Sequence, residues 1–163
     1  MRQPPELAEN LGFHLAEFNW GVLKYDWDDP RVADFVNALE RVDALAQRRT
    51  GYVWQMSEED MSFHQNDPDG VLGANPRLAS KLSVWETPQS LWHFAYHTVH
   101  NRFVTRGPEW YDMNHGIRMV LWWVPIGHRP TIQEAVEKRD LLLSFGSSHS
   151  AFGWDWLKTA PVT

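Results

Sequence analysis

Three histidines, His93, His97 and His100, follow one another at positions i, i+4 and i+7. On a helix this spacing places them on one stripe, where they could hold a transition metal or supply an axial ligand to haem. The apolar residues of the segment occupy the opposite arc, so a solvent-facing stripe also explains the pattern. Because no carboxylate is local, we predict no metal site. His100 is the best catalytic candidate, and His97 and Tyr96 are candidate ligand contacts.

Asp43 is a second candidate for catalysis, because it falls on the apolar stripe of a predicted helix with Val32, Val36 and Leu39. A carboxylate in such a position must be paired, hydrogen-bonded or protonated. Inside a pocket it could act as a general base with a raised pKa. The alternative is a partly exposed aspartate near the helix end that accepts a hydrogen bond from a neighbouring strand or loop.

Further candidates for ligand contact lie on predicted strands and in the loops that follow them. His128 follows Gly127 between a strand and a helix, where it could contact a ligand or fix the turn through a nearby carbonyl. Asn19 ends an aromatic strand and could orient a ligand carbonyl or satisfy the backbone. The chain has ten tryptophans. Core or interface packing is their default role. Those that we predict as pocket walls are Trp54, Trp85 and Trp123.

The elements that must position these residues alternate between strands and helices. Apolar alternation, helix caps and turn residues define them. The predicted strands cover residues 13–20, 52–56, 81–86 and 117–124, and the predicted helices cover residues 30–50, 88–104 and 131–146. Residues 57–76 are rich in turn-forming residues and are predicted to form a long loop, which leaves open whether it is a lid.

This order predicts an α+β fold, namely a ferredoxin-like βαββαβ domain with an extra C-terminal helix. The length of 163 residues fits a single domain with a core at 11–146, an N-terminal tail at 1–10 and a C-terminal docking tail at 147–163. Two helices cover only one face of a four-stranded sheet. We therefore expect the aromatic strands to bury the other face in a homodimer that packs sheet to sheet.

Composition excludes several partners and chemistries. The net charge of −6 argues against nucleic acid. The absence of cysteine excludes disulfides, thiolate metal sites and cysteine nucleophiles, and it fits the reducing cytoplasm, which is the predicted location. No apolar run has the length of a membrane span or of a signal peptide core, so no membrane partner is predicted. No phosphate-binding glycine loop, nucleophile elbow or zinc motif is present.

Three motifs resemble one known family. They are Leu-Ser-Val-Trp-Glu at 82–86, Phe-Ala-Tyr at 94–96 with His100, and Leu-Trp-Trp-Val-Pro at 121–125 followed by Gly127 and His128. Together with Asn19 and residues 41–46 and 51–54, they resemble the bacterial domain-of-unknown-function family 3291 over residues 11–152. The resemblance implies the dimeric α+β barrel superfamily, which also contains antibiotic-biosynthesis monooxygenases, haem-degrading enzymes and muconolactone isomerases. It implies the fold and the dimer, but no activity.

Three hypotheses for function follow. The first is a binding protein or enzyme for a hydrophobic, aromatic small molecule, with Asp43 or His100 as acid or base. By analogy with the superfamily, its reaction would be a cofactor-independent oxygenation or an isomerisation. The second is a haem-binding protein with His100 or a neighbour as the axial ligand, and no other cofactor is predicted. The third is a non-catalytic dimeric domain whose aromatic residues form the core and the interface.

Overall fold

The computed structural model describes residues 7–97, 100–113 and 118–159, without the side chains of residues 97, 100–104 and 159. Within these residues the chain forms four β-strands and six α-helices. In chain order they are β1 Phe13–Val22, a 3-10 turn at Pro30–Val32, α1 Ala33–Gln47, β2 Tyr52–Gln55, α2 Glu58–Gln65, β3 Leu78–Trp85, α3 Pro88–His97, α4 His100–Trp110, β4 Met119–Pro125, α5 Ile132–Phe145 and α6 Trp154–Thr159.

The four strands form one antiparallel sheet in the order β2-β3-β1-β4. Strand β1 is central and pairs with β3 on one side and with β4 on the other. Its residue Glu17 therefore lies between Ser83 of β3 and Leu121 of β4. Because side chains alternate along a strand, Glu17 and Asn19 project from one face of the sheet, and Ala16 and Phe18 project from the other.

The face that carries Glu17 and Asn19, which we call the front face, lies against helices α1, α3, α4 and α6. Two buried clusters join the sheet to these helices. The buried members that the helices contribute are Phe35 and Ala46 from α1, Leu91 and Phe94 from α3, Trp110 from α4 and Leu157 from α6.

The face that carries Ala16 and Phe18, which we call the back face, is covered by helices α2 and α5. Phe18 and Trp122 of the sheet have exposed fractions of 0% and 1%, and they belong to one cluster with Met61 of α2 and Ile132 of α5. The expectation of an uncovered sheet face is therefore not met, because the chain's own helices bury it. The need to bury this face therefore no longer supports a homodimer, and the homodimer stays a prediction.

The caps that define the helices are mostly found where the sequence places them. Asp29 accepts a hydrogen bond from the backbone of Arg31 at 2.8 Å, and Thr131 accepts one from the backbone of Glu134 at 3.2 Å. The spacing of Thr131 and Glu134 in the sequence also predicts a capping box, but the carboxylate of Glu134 contacts His128 instead. Capping residues thus mark where these helical segments begin.

Two segments between β2 and β4 differ from the prediction by more than a few residues at one end. The predicted loop at 57–76 contains α2, whose cap Ser57 accepts from the backbone of Asp60 at 3.1 Å. The predicted helix at 88–104 is described as α3 and α4, and α4 continues to Trp110 with Pro108 inside it. No helix in the described ranges is long and apolar enough to cross a membrane.

The C-terminal tail packs on the front face. Phe152 is fully buried and exchanges two backbone hydrogen bonds with Leu121, at 2.8 and 2.9 Å. The ring of Trp154 meets the ring of Trp92 edge to face at 5.1 Å between centroids. The tail therefore closes one end of the layer between the sheet and the helices.

We predict that Phe152→Ala lowers the free energy of unfolding by about 3 to 5 kcal/mol, because it removes a fully buried ring and leaves a cavity. The matched control is Phe145→Ala, whose ring is 83% exposed, and it should change stability by less than about 0.5 kcal/mol. Urea unfolding followed by tryptophan fluorescence measures both. Equal losses in the two variants would contradict the docked position of the tail.

Candidate functional site

A cavity of about 510 Å³ lies between the front face of the sheet and helices α1, α3 and α4. This volume is within the usual range for small-molecule sites. Large aromatic rings form much of its wall: Trp85 and Phe94 stack at 5.2 Å between centroids, and Phe35 and Trp110 lie 5.6 Å apart. The cavity therefore offers a mainly apolar, aromatic surface to a ligand.

The carboxyl group of Glu17 lies at the floor of this cavity, and Glu17 is only 5% exposed. Asn19 Nδ2 donates to Oε1 of Glu17 at 2.6 Å, and Ser83 Oγ donates to Oε2 at 3.1 Å. The indole Nε1 of Trp85 in turn donates to Ser83 Oγ at 3.1 Å. Hydrogen-bond donors from β1 and β3 therefore hold both oxygens of the carboxyl group in place.

Burial raises the pKa of Glu17 from 4.5 to about 7. The hydrogen bonds from Asn19 and Ser83 and the charge of Lys81 lower it, but the loss of hydration is larger. A carboxyl group with a pKa near neutrality can both accept and return a proton under physiological conditions. Glu17 is therefore the group in the cavity that is best suited to move a proton.

Glu17 is a candidate functional residue that the sequence analysis missed. Its alternation with Leu15 and Asn19 indicated the face on which it lies, and the pattern already placed a carboxylate in the middle of a strand with an apolar second face. The missing information was the position of β1 in the centre of the sheet, with β3 and β4 on its two sides. A central strand buries its middle residues, whereas an edge strand could have left this carboxylate in water.

A second polar group on the cavity wall is built around Lys81 of β3. Its Nζ donates to the carboxylates of Asp43 on α1 and Glu58 on α2. Burial raises the pKa of Glu58, the contact with Lys81 opposes this effect, and the neighbouring Asp43 adds to it. Asp43 thus lies on the cavity wall as a buried and paired carboxylate, which is one of the arrangements that its place on an apolar stripe required.

Tyr96 lies on the cavity wall beside the aromatic residues of the C-terminal tail. Its ring is 4.4 Å from the ring of Trp92 between centroids. Burial raises the pKa of Tyr96, and a hydrogen bond with Trp154 lowers it. The neutral phenol therefore persists to high pH as a hydrogen-bonding group at this end of the cavity.

The structure brings together four of the predicted site residues, Asn19, Asp43, Trp85 and Tyr96, on the wall of one cavity. Three others lie elsewhere. Trp54 packs against the back-face cluster, Trp123 packs on Phe152 at 5.8 Å between centroids, and His128 is exposed with its Nε2 3.0 Å from Glu134.

The two helix histidines of the prediction, His97 and His100, have side chains outside the described residues, so their roles stay predictions. The described ranges contain no group of three or more histidine, cysteine, aspartate or glutamate side chains that could hold a metal ion.

The fold and the site define an α+β protein with a four-stranded antiparallel sheet and an aromatic cavity on the front face that has a buried carboxyl group. The chain belongs to the family described as Domain of unknown function (DUF3291), whose model matches residues 14–163. The family resemblance seen in the motifs is thus confirmed. No curated protein matches the sequence.

One solved structure that resembles the chain is the crystal structure of NE2512, a protein of unknown function from Nitrosomonas europaea. The TM-score is 0.44 at 9% sequence identity, and the match covers 75% of this chain and 97% of that chain.

We predict that Glu17 makes stability depend on pH. Its pKa in the folded state is about 7, above the ordinary value of 4.5, so its stabilising effect is complete below about pH 4.5 and is lost as the pH rises through about 7. Relative to Glu17→Gln, the natural protein should lose about 3 kcal/mol of unfolding free energy over this interval.

Urea unfolding at about pH 5 and about pH 8 measures this difference. The exposed Glu40 on α1 supplies the control Glu40→Gln, which should follow the natural protein at both values. If the natural protein and Glu17→Gln differ in unfolding free energy by the same amount at both pH values, the pKa of Glu17 is not raised.

Proposed function

We propose that this protein binds a hydrophobic, aromatic small molecule in the front-face cavity and exchanges a proton with it through Glu17. The observation that carries the proposal is the Glu17 carboxyl group, which is buried, has a pKa of about 7 and faces an aromatic cavity. Sites of this kind, mostly apolar with a few converging polar groups and a perturbed acid, are typical of binding and catalysis.

The other cavity residues have separate roles in this proposal. Trp85 and Phe94 form a stacked wall for a flat ligand. Asn19 and Ser83 orient the carboxyl group of Glu17, so that its free lone pairs point to the ligand. Pre-organised groups of this kind reduce the reorganisation that a proton transfer needs.

The reaction class that fits a single mobile proton is an isomerisation. The carboxylate of Glu17 takes a proton from a carbon next to a carbonyl or ring, and the electron pair of the C–H bond moves into that group. The carboxyl group then returns the proton to another atom of the same ligand, so no co-reactant is consumed. Cofactor-independent oxygenation begins with the same removal of a proton, but it also requires dioxygen.

We also infer a ferredoxin-like arrangement within the dimeric α+β barrel superfamily. Strand β3 lies between β1 and β2, and β1 lies between β3 and β4, so each βαβ unit is split by a strand of the other. The superfamily supports an oxygenase or an isomerase by analogy only. The covered back face argues against a homodimer packed sheet to sheet. Haem binding through His100 and a non-catalytic role stay predictions from the sequence.

We predict that the natural protein binds Nile red, an uncharged aromatic dye, and that Leu39→Trp weakens this binding by about tenfold or more, because the larger side chain fills the cavity. The control is Leu143→Trp, at a position that is 51% exposed on α5. Dye fluorescence measures the affinity of each protein. Binding that is equally tight in Leu39→Trp would exclude this cavity as the site.

We predict that the natural protein speeds the exchange of the acidic carbon-bound protons of 2-tetralone, an aromatic ketone, in heavy water. Glu17→Gln should slow this exchange by about 100-fold, because an amide cannot accept the proton. Proton NMR follows the loss of signal, and Glu40→Gln is the control. Exchange at the rate of buffer alone, or at equal rates in the natural protein and Glu17→Gln, would contradict the role of Glu17.

A further inference from the structure

Among the side chains that the structure describes, two cations line the cavity, Lys81 and Arg118, and their surroundings differ. Lys81 is held by the carboxylates of Asp43 and Glu58. Arg118, which directly precedes β4, makes no ion pair with any carboxylate among the residues that the structure describes, although it is partly buried. A partly buried cation has lost some of its hydration, so a bound anion would stabilise this end of the cavity.

The phenol of Tyr111 lies beside Arg118 and also lines the cavity. The guanidinium of Arg118 lies over the ring of Tyr111 in a cation–π contact, with 5.3 Å between Cζ and the ring centre. Burial raises the pKa of Tyr111, so this hydroxyl remains a donor. An arginine fork next to a phenol O–H is an arrangement that matches a carboxylate.

The position of Tyr111 is fixed by its neighbours. Its ring carbons lie 2.6 Å from the place that a Cβ would occupy at Gly21, so only glycine leaves room for the ring at that point of β1. Its backbone N–H donates to the carbonyl of Gly107 at 2.8 Å. The hydroxyl is therefore presented from a rigid support on the cavity wall.

The spacing along β1 relates this pair to Glu17. The backbone N–H of Trp20 donates to the carbonyl of Arg118 at 3.0 Å, and Trp20 is three residues beyond Glu17. The rise of a strand makes this separation about 10 Å. A flat molecule could therefore place an anionic group at Arg118 and a reacting carbon near Glu17 at the same time.

We infer that the ligand of this cavity is an aromatic carboxylic acid whose carboxylate is bound by Arg118 and Tyr111. This inference rests on the proposed function, because it specifies the ligand class of the same cavity. It makes Arg118 a specificity-determining residue, which recognises the charge of the ligand, while Glu17 acts on a carbon at the other end.

The test compares 2-naphthoate with 2-naphthamide, which have the same ring system but differ in charge. The natural protein should bind the naphthoate about tenfold or more tightly than the amide, as expected for a charged hydrogen bond. Arg118→Gln should abolish this preference, because it should weaken the binding of the naphthoate much more than that of the amide. Isothermal titration calorimetry measures each affinity.

Two further variants keep the test informative if Arg118→Gln does not fold, which circular dichroism would show. Arg118→Lys keeps the charge but loses the fork, so it should give an intermediate preference. Tyr111→Phe should reduce the preference less than Arg118→Gln does. The exposed Arg41 on α1 supplies the control Arg41→Gln, which should keep the full preference.

The possible failures are distinct. If the natural protein binds both compounds equally, or if Arg118→Gln and Arg118→Lys keep the full preference, the role of Arg118 is wrong but the cavity remains a binding site. If the natural protein binds neither compound and also fails to bind Nile red, both the inference and the proposed function are wrong.

Discussion

The burial of one carboxyl group on the central strand constrains the whole front face of the sheet. Glu17 is only 5% exposed, because β1 is covered on its two sides by β3 and β4. A buried carboxylate must then be hydrogen-bonded or protonated. Asn19 and Ser83 supply the hydrogen bonds, and the pKa of about 7 shows that the protonated form is also accessible. The polar side chains of Asn19 and Ser83 thus meet the hydrogen-bonding requirement of the buried Glu17.

The remaining charges on the cavity wall are arranged around this group. Lys81 connects α1 and α2 to the sheet through ion pairs with Asp43 and Glu58, so its positive charge is balanced by groups of the protein itself. Arg118 has no such partner among the described residues. The front face therefore combines a cluster of paired charges around Lys81 with the cation Arg118, whereas the back-face cluster is built from apolar residues and serves packing.

The sequence predicts local structure well where a cap or an apolar period marks it, as at Asp29 and Thr131. It fails for α2, because only Met61 of that helix is buried and no apolar period develops. The helical spacing of Asp43 and the strand alternation of Asn19 are enough to indicate the faces on which these residues lie. The role of Glu17 requires the strand order, and the cover on the back face requires the packing of α5, both of which depend on contacts far apart in sequence.

A structural role alone does not explain Glu17. An apolar residue at the same point of β1 would pack against Leu15 and Trp85 without any cost of desolvation, and it would remove the need for the donors Asn19 and Ser83. The back face shows that this chain can build such an apolar layer. A buried polar residue where the rest of the fold buries apolar ones is expected at functional sites. Glu17 is buried at a cost in a cavity that also holds Arg118, and the proposed ligand accounts for that cost because it would use both groups.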